Sequence, residues 1–217
     1  MRGIAVVGTD TGVGKTQASC ALLSLFAQAG LRPAPLKPAE TGVGPEGPLD
    51  ALAMQLAAGC TSEPIDRACP YRLPLPMAPA SAARAAGVSI DLDRIVALAR
   101  SLSAEGPGPA GRPLVVEGAG GLLVPLTERH TFADLLEELE LPVLVVGRAG
   151  LGTLNHCALT IEALASRGLR IKAVLLNAST PTPPGGDVTL QTNRDDLEKL
   201  TGLPVLGPAP FEPDLTT

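Results

Sequence analysis

A lysine and a threonine that close a glycine-rich run near the start of the chain are the residues best suited to chemistry. Residues 8–16 read GTDTGVGKT, directly after an apolar run and before an amphipathic stretch. A glycine-rich turn between strand and helix directs backbone N–H groups and the positive end of the helix dipole at an anion. Lys15 would then reach the β- and γ-phosphates of a nucleotide, and the Thr16 hydroxyl would bind Mg²⁺. The run predicts a phosphate-binding loop (P-loop), although five residues separate Gly8 from Gly14, one more than in the usual pattern.

Charged side chains follow two further apolar runs. Glu117 follows Leu114–Val116, and Lys37 follows Arg32–Leu36. Ligands of an open α/β sheet gather at the carboxyl ends of its strands, so both residues are candidates for the same site. A carboxylate beside a P-loop is the expected second anchor of Mg²⁺, and an exposed glutamate is the alternative. Lys37 would supply a cation for negative charge on a transferring phosphoryl group, and an ordinary surface lysine is the alternative.

Two local patterns each leave two interpretations open. Asp50 heads a helical stretch after a glycine- and proline-rich loop, and it fits a helix N-cap and a metal ligand equally well. The segment Gly150–His156 is a second glycine-rich turn that leads into a helix; it has no lysine, so it suits a carboxylate ligand or is a plain packing turn. His156 is expected to be buried or to cap that helix, and no pairing with a nucleophilic Ser or Cys supports a hydrolase triad.

Apolar runs and amphipathic stretches alternate along the chain, and they predict the elements that must position these residues. Buried strands are predicted at Ile4–Val7, Arg32–Leu36, Leu114–Val116, Pro142–Val146, Ile171–Leu176 and Pro204–Leu206. Helices are predicted at Lys15–Ala29, Asp50–Ala58, Asp91–Ser103, Thr131–Leu139, Thr153–Ser166 and Thr192–Leu200. Thr131 and Asp134 have the spacing of a capping box. This order predicts an α/β protein: a three-layer P-loop (Rossmann-like) fold with a mostly parallel sheet flanked by helices on both faces.

Composition limits the class of function. The length is that of one domain, which we expect to cover residues 1–217. The 22 acidic residues exceed the 17 Lys and Arg, and aromatic residues make up only 2% of the chain, so nucleic acid and membranes are not expected partners. No apolar run is long enough for a signal peptide core or a membrane helix, so a cytoplasmic protein is expected. The four cysteines lack C-x-x-C spacing and are expected to be reduced structural thiols.

Four motifs together resemble the dethiobiotin synthetase family: GTDTGVGKT at 8–16, KPAETG at 37–42, VEGAGG at 116–121 and LGTLNH at 151–156. They occur in the family's order, and the family shares the extra P-loop residue. The resemblance implies a ligase that uses ATP as co-substrate and Mg²⁺ as cofactor. The residues it implies for ATP are Gly12, Val13, Gly14, Lys15, Thr16, Gln17, Glu117, Gly118, Ala119 and Gly120, with Asn177, Pro210, Phe211 and Glu212 on the side of the base.

The resemblance also implies the remaining roles at the site. Lys37 matches the family's active-site lysine and acts with Lys15, and Thr41 matches a position that contacts the substrate. The residues implied for Mg²⁺ are Thr16, Asp50 and Glu117. The turn implied to bind the substrate's carboxylate across a homodimer interface is Gly152, Thr153, Leu154 and Asn155. A loop at Pro76–Pro79 resembles one beside the substrate, with packing of Met77 in the core as the alternative.

The reaction implied by the resemblance joins 7,8-diaminopelargonate and CO₂ (or bicarbonate). One amine becomes a carbamate, ATP phosphorylates a carbamate oxygen, and the neighbouring amine closes a cyclic urea. One alternative is a switch-type P-loop ATPase of the partition or regulatory class, which would carry an additional lysine where this sequence has Asp10. Another is an amidating ligase related to the cobyrinate enzymes, which would need an attached glutaminase domain.

Overall fold

A computed structural model of the chain describes residues 1–106, 111–178 and 187–210. Its strands are β1 Gly3–Gly8, β2 Ala34–Leu36, β3 Ala39–Thr41, β4 Tyr71–Leu73, β5 Leu114–Gly121, β6 Val143–Arg148, β7 Ile171–Asn177 and β8 Val205–Ala209. Its helices are α1 Lys15–Gln28, α2 Leu49–Ala58, α3 Ile65–Ala68, α4 Pro79–Ala85, α5 Leu92–Ala104, α6 Phe132–Leu139, α7 Thr153–Ser166 and α8 Thr189–Thr201.

Six strands form one parallel sheet in the order β2-β5-β1-β6-β7-β8. Successive side chains of the central strand β1 point to opposite faces, so Ala5 and Val7 belong to one core and Val6 to the other. Helices α5 to α8 contribute to the first core, and α1 and α2 contribute to the second. The predicted three-layer α/β fold is confirmed, and the carboxyl ends of β1, β2 and β5 meet at one edge.

The segment between β2 and α5 differs from the sequence prediction. The short strands β3 and β4 form a separate two-stranded parallel sheet, and the helices α3 and α4 were not predicted. Pro38, between β2 and β3, has no N–H to continue the main ladder. Strands of three residues show too little periodicity to be detected in a sequence.

The predicted capping box at the start of α6 is confirmed. Thr131 donates its backbone N–H and its hydroxyl to Asp134, at 2.5 and 2.8 Å, and Arg167 donates to the same carboxylate at 2.8 Å. Burial alone would raise the pKa of Asp134, but these hydrogen bonds outweigh burial and lower that pKa to about 2.

The cysteine prediction agrees with the structure, because Cys20, Cys60, Cys69 and Cys157 are all free thiols. Within the described ranges, no helix combines the length and the apolar character needed to span a membrane.

Candidate functional site

The P-loop connects β1 to α1, as predicted. Gly14, the residue before α1, has a left-handed backbone with φ of 94°, and a Cβ there would overlap the Asn177 side-chain nitrogen. Only glycine fits such a position. The buried ammonium of Lys15 donates to the carbonyl oxygen of Asp10 at 2.9 Å. Burial lowers the pKa of Lys15, and the carboxylate of Glu117 offsets only part of that effect.

Lys37 lies between two carboxylates at the edge of the sheet. The β2–β5 register pairs Leu36 with Val116, so Lys37 and Glu117 leave adjacent strands at the same level. The Lys37 ammonium is 2.5 Å from Glu117 Oε1 and is also paired with Asp50. Burial would lower the pKa of Lys37, but Glu117 and Asp50 outweigh burial and raise it above the usual value.

The structural alternatives given for the three charged residues, a surface lysine, an exposed glutamate and a helix N-cap, are wrong. Lys37 is only 4% exposed and Glu117 is fully buried, so neither is an ordinary surface side chain. Asp50 is not the N-cap of α2, because Pro48 occupies that position and Asp50 lies in the first helical turn. The interpretation of Asp50 as a metal ligand remains a prediction.

The donor set around Glu117 fits a divalent cation. Thr16 donates its hydroxyl to Glu117 Oε1 at 2.9 Å, while Oε2 is buried and has no hydrogen-bond partner among the described residues. An unpartnered buried carboxylate oxygen is costly unless a cation or proton donor reaches it. The described residues hold no group of three or more His, Cys, Asp or Glu arranged for a metal. That finding is compatible with Mg²⁺, which retains waters and takes nucleotide phosphates as ligands.

One cavity of about 450 Å³ brings most of the predicted residues together. It is lined by Thr11, Gly12, Gly14, Lys15, Thr16, Gln17, Lys37, Glu40, Thr41, Asp50, Glu117, Ala119 and Gly120. Two residues predicted to bind ATP do not line the cavity. Val13 is buried in the core, and Gly118 lies against the ring of Phe132. Both lysines and all three residues predicted for Mg²⁺ face the same space.

Asn177 lies at the carboxyl end of β7, next to the P-loop. Its side-chain nitrogen donates to the Val13 carbonyl at 3.1 Å and to Gln17 Oε1 at 2.9 Å. A carbonyl can only accept, so this orientation of the amide is fixed, and both of its protons are used. Asn177 can therefore offer only an acceptor to a further ligand. Pro210 follows β8 and is exposed; Phe211 and Glu212 lie outside the described residues.

The second glycine-rich turn does not reach the cavity of Lys37 within one chain. Gly152 has a left-handed backbone with φ of 91° and precedes α7. Thr153 is buried, Leu154 is half-buried, and Gly152 and Asn155 are exposed. His156 is exposed rather than buried, and it is not the helix cap, so that expectation is wrong. Met77 is 44% exposed, so packing of that residue in the core is also wrong.

Sequence reasoning missed two charged residues at the site. Glu40 lines the cavity and accepts hydrogen bonds from the backbone N–H groups of Asp50 and Ala51 at 3.1 and 3.0 Å. Arg148 ends β6 and is paired with Asp10 of the P-loop at 3.1 Å. Arg148 could have been found as a charged residue at a strand end, had the predicted strand continued beyond Val146. Nothing in the sequence around Glu40 shows that its partners are helix amides.

Comparison with known proteins gives consistent relatives. The profile of a family described as "AAA domain" matches residues 2–217. ATP-dependent dethiobiotin synthetase from Anaeromyxobacter sp. (strain K) is 49% identical over 215 residues, which cover 99% of this chain and 92% of that protein. The protein of the same name from Corynebacterium diphtheriae is 39% identical over 94% of this chain and 86% of its own. Among solved structures, cell division protein ftsY from Thermotoga maritima covers 94% of this chain and 60% of that chain, with 17% identity and a TM-score of 0.42. At that TM-score the structural similarity supports no conclusion beyond the sheet topology described above.

Proposed function

This chain belongs to the dethiobiotin synthetase family, and from that premise we propose that it is an ATP-dependent ligase that builds the cyclic urea of dethiobiotin from 7,8-diaminopelargonate and CO₂. One amine adds to CO₂ and becomes a carbamate. A carbamate oxygen takes the γ-phosphoryl group of ATP, which releases ADP. The second amine then attacks the activated carbonyl carbon, and phosphate leaves. The observation that carries the proposal is the buried Lys37 ammonium in one cavity with the P-loop.

The two lysines answer the main physical difficulty of this reaction, which is the approach of two anions. A carbamate and a terminal phosphate repel each other, and the repulsion is strong where water is excluded. Lys15 compensates negative charge on the ATP phosphates. Lys37 compensates negative charge on the carbamate and on the phosphoryl group in the transition state of its transfer. Ring closure follows from the proximity of two vicinal amines, so a strong base is not required.

We assign the Mg²⁺ site to Thr16, Asp50 and Glu117. The orphaned oxygen of Glu117 and the hydroxyl of Thr16 support this assignment. Bound Mg²⁺ would neutralise phosphate charge and orient the transferring group. Lys37 is paired with both carboxylates in the structure, so a cation held by these carboxylates would leave the lysine available to the substrate anions.

The nucleotide and substrate contacts complete the assignment. A triphosphate bound with its γ-phosphate near Lys37 and Glu117, on the β2–β5 side, would direct its base from the P-loop towards β7. Asn177 lies there and is proposed to contact the base; Pro210, Phe211 and Glu212 are proposed neighbours. Thr41 lines the cavity beside Lys37 and is proposed to contact the diamine.

A homodimer is part of the proposal, because the carboxylate-binding turn Gly152–Asn155 lies outside the cavity of its own chain. Leu123 and Leu159 are more than half exposed and line a groove of about 410 Å³ beside the P-loop residue Thr9. Leu151, next to the turn, is 82% exposed. The exposed leucines that line this groove form an apolar surface against which a second copy could pack, and they support a dimer that brings the partner's turn to the cavity.

The shared site can be tested by mixing two inactive variants. Lys37→Ala removes the lysine, and Gly152→Val strains the left-handed position of the turn. If equal amounts of the two variants exchange subunits at random, about half of the dimers are mixed, and each mixed dimer has one site that combines Lys37 with an intact turn. About a quarter of all sites should therefore be active. Dimers that form by sedimentation but recover no activity would contradict a shared site.

Two further assignments accompany this function. Residues 1–217 are proposed to act as a single ligase domain, which the profile match over residues 2–217 supports. A cytoplasmic location is proposed on the grounds of the ATP substrate and the free thiols of the described chain.

The function itself is tested with the purified chain, ATP, Mg²⁺, bicarbonate and 7,8-diaminopelargonate. Phosphate and dethiobiotin should appear in equal amounts, and omission of the diamine or of bicarbonate should stop both. ATP hydrolysis at the full rate without the diamine would refute the ligase and favour a switch-type ATPase.

A further inference from the structure

Glu40 is a buried carboxylate in the cavity to which the reaction above gives no role. Its side chain is 8% exposed, and its two oxygens accept from the N–H groups of Asp50 and Ala51. Burial raises the pKa of this carboxyl, and the two backbone hydrogen bonds offset only part of that effect. A charged group kept in such a place needs a structural or functional reason.

The start of α2 depends on this carboxylate. The first N–H groups of a helix have no partner within the helix, and the N-cap residue Pro48 has no side chain that could accept them. Glu40 supplies an external cap from β3, where the helix dipole also favours negative charge. The loop from residue 42 to residue 48 contains three glycines and two prolines and makes one internal hydrogen bond, from Gly47 to Gly44. The loop itself does little to fix the first turn.

The first turn of α2 carries Asp50, whose carboxylate faces Lys37. The next turn is anchored separately, because Met54 is fully buried in the core beside α1. Loss of the Glu40 contacts would therefore leave the helix in place and loosen its first turn, which would then be held by the burial of Ala51 and by the pairing of Asp50 with Lys37. Lys37 lies between Asp50 and Glu117, and Asp50 would then no longer be held at a fixed distance from Glu117.

We propose that Glu40 is a positioning residue: its carboxylate clamps the first turn of α2 and thereby sets the separation of Asp50 and Glu117, the two carboxylates of the cation site. The proposal rests on the proposed function, in which these carboxylates hold Mg²⁺. It makes Glu40 a determinant of metal affinity that acts through Asp50, because both of its oxygens are already engaged by backbone N–H groups of α2. Removal of such a supporting partner commonly costs about 10-fold to 100-fold in metal affinity.

The first test uses the unaltered protein. Amide hydrogen exchange followed by NMR should show slow exchange for the N–H groups of Asp50 and Ala51, although the first turn of a helix normally exchanges fast. Fast exchange at both positions would overturn the clamp whatever the variants do.

The second test compares variants by Mn²⁺ binding, with Mn²⁺ standing in for Mg²⁺. Glu40→Gln keeps the size of the side chain, but its NH₂ group opposes one of the two amides. We expect the Mn²⁺ affinity of the complex with a non-hydrolysable ATP analogue, measured by EPR of free Mn²⁺, to fall about 10-fold or more. Affinity for the analogue without metal should stay unchanged. Glu40→Asp, too short to reach both amides, should behave in the same way.

Two control variants separate the clamp from simpler explanations. Glu46→Gln removes a charge from an exposed position in the same loop, and it should leave Mn²⁺ affinity unchanged. Ala57→Gly loosens α2 far from its first turn, and it should lower the melting temperature without a matching loss of Mn²⁺ affinity. Wild-type Mn²⁺ affinity in Glu40→Gln, or equal losses in Glu40→Gln and Ala57→Gly, would refute the proposal. Neither result depends on dethiobiotin formation, which is measured separately and decides the proposed function alone.

Discussion

Replacement of Lys37 by methionine removes an ammonium group but keeps an unbranched side chain of similar length. The group removed is buried and is shared by Glu117 and Asp50. Its loss leaves two carboxylates facing the incoming phosphate and carbamate. The variant therefore tests whether this ammonium acts on the transition state or only balances charge in the folded protein.

The magnitude follows from Coulomb's law. A unit charge about 4 Å from the ammonium is stabilised by about 4 kcal/mol at an effective dielectric constant of about 20. Only the part that grows between the bound substrates and the transition state raises kcat. If between half and all of this stabilisation is gained only in the transition state, loss of the Lys37 ammonium costs about 2 to 4 kcal/mol, or about 30-fold to 1000-fold in kcat.

Phosphate release and dethiobiotin formation at saturating ATP, Mg²⁺, bicarbonate and diamine measure this effect. Nucleotide affinity, measured by calorimetry, should change much less than kcat, because the P-loop and Lys15 remain intact. Lys199→Met, at an exposed position in α8, removes the same charge from the surface and should leave both quantities unchanged.

Three results would refute the reasoning. A kcat within a few-fold of the wild-type value would show that Lys37 does not act on the transition state. A loss confined to nucleotide affinity would make Lys37 a binding residue. A lower melting temperature with normal kcat would assign it a role in folding, since it neutralises the buried Glu117.

Three further predictions concern the neighbouring structure. Because the pKa of Asp134 is lowered from 3.8 to about 2, its charge stabilises the fold above about pH 4 and ceases to do so as the pH falls towards 2; Asp134→Asn should cost about 1–2 kcal/mol in urea unfolding at pH 7 and progressively less below pH 4. Gly14→Ala should reduce ATP affinity far more than Gly12→Ala does by calorimetry, because both glycines are left-handed but, among the described atoms, only Gly14 is crowded; equal losses would refute the role of that crowding. Because both protons of the Asn177 amide are already donated to Val13 and Gln17, this side chain can offer the base only an acceptor; ATP should therefore bind at least about 5-fold more tightly than ITP, which lacks the amino group, and equal affinity would show that Asn177 does not contact that amino group.

The sequence predicted what local pattern controls. Glycine spacing between a strand and a helix specified the P-loop, and the spacing of Thr131 and Asp134 specified a helix start, because both features are formed by residues close in the chain. The residues at strand ends were also accessible to sequence reasoning, since strands of a parallel sheet share one carboxyl edge. Arg148 was not identified from the sequence because its strand, β6, ends two residues later than predicted.

Other features depended on contacts that no local pattern encodes. Asp50 fitted a helix cap and a metal ligand equally well until the helix was found to begin one residue earlier, at Leu49. Glu40 carried no signal because its partners are backbone groups brought close by a loop. Exposure of His156 and Met77 depended on how α7 and α4 lie on the molecule.

The sequence by itself determined that this chain folds as a parallel α/β sheet with a phosphate-binding loop after its first strand, because hydrophobic period and glycine placement are local properties. Tertiary structure alone decided that Lys37 meets Glu117, which is 80 residues away, and that Asp50 closes the other side. The physical reason is the pairing of β2 with β5: their register brings the two charges to the same level of the sheet, and burial makes their mutual neutralisation obligatory.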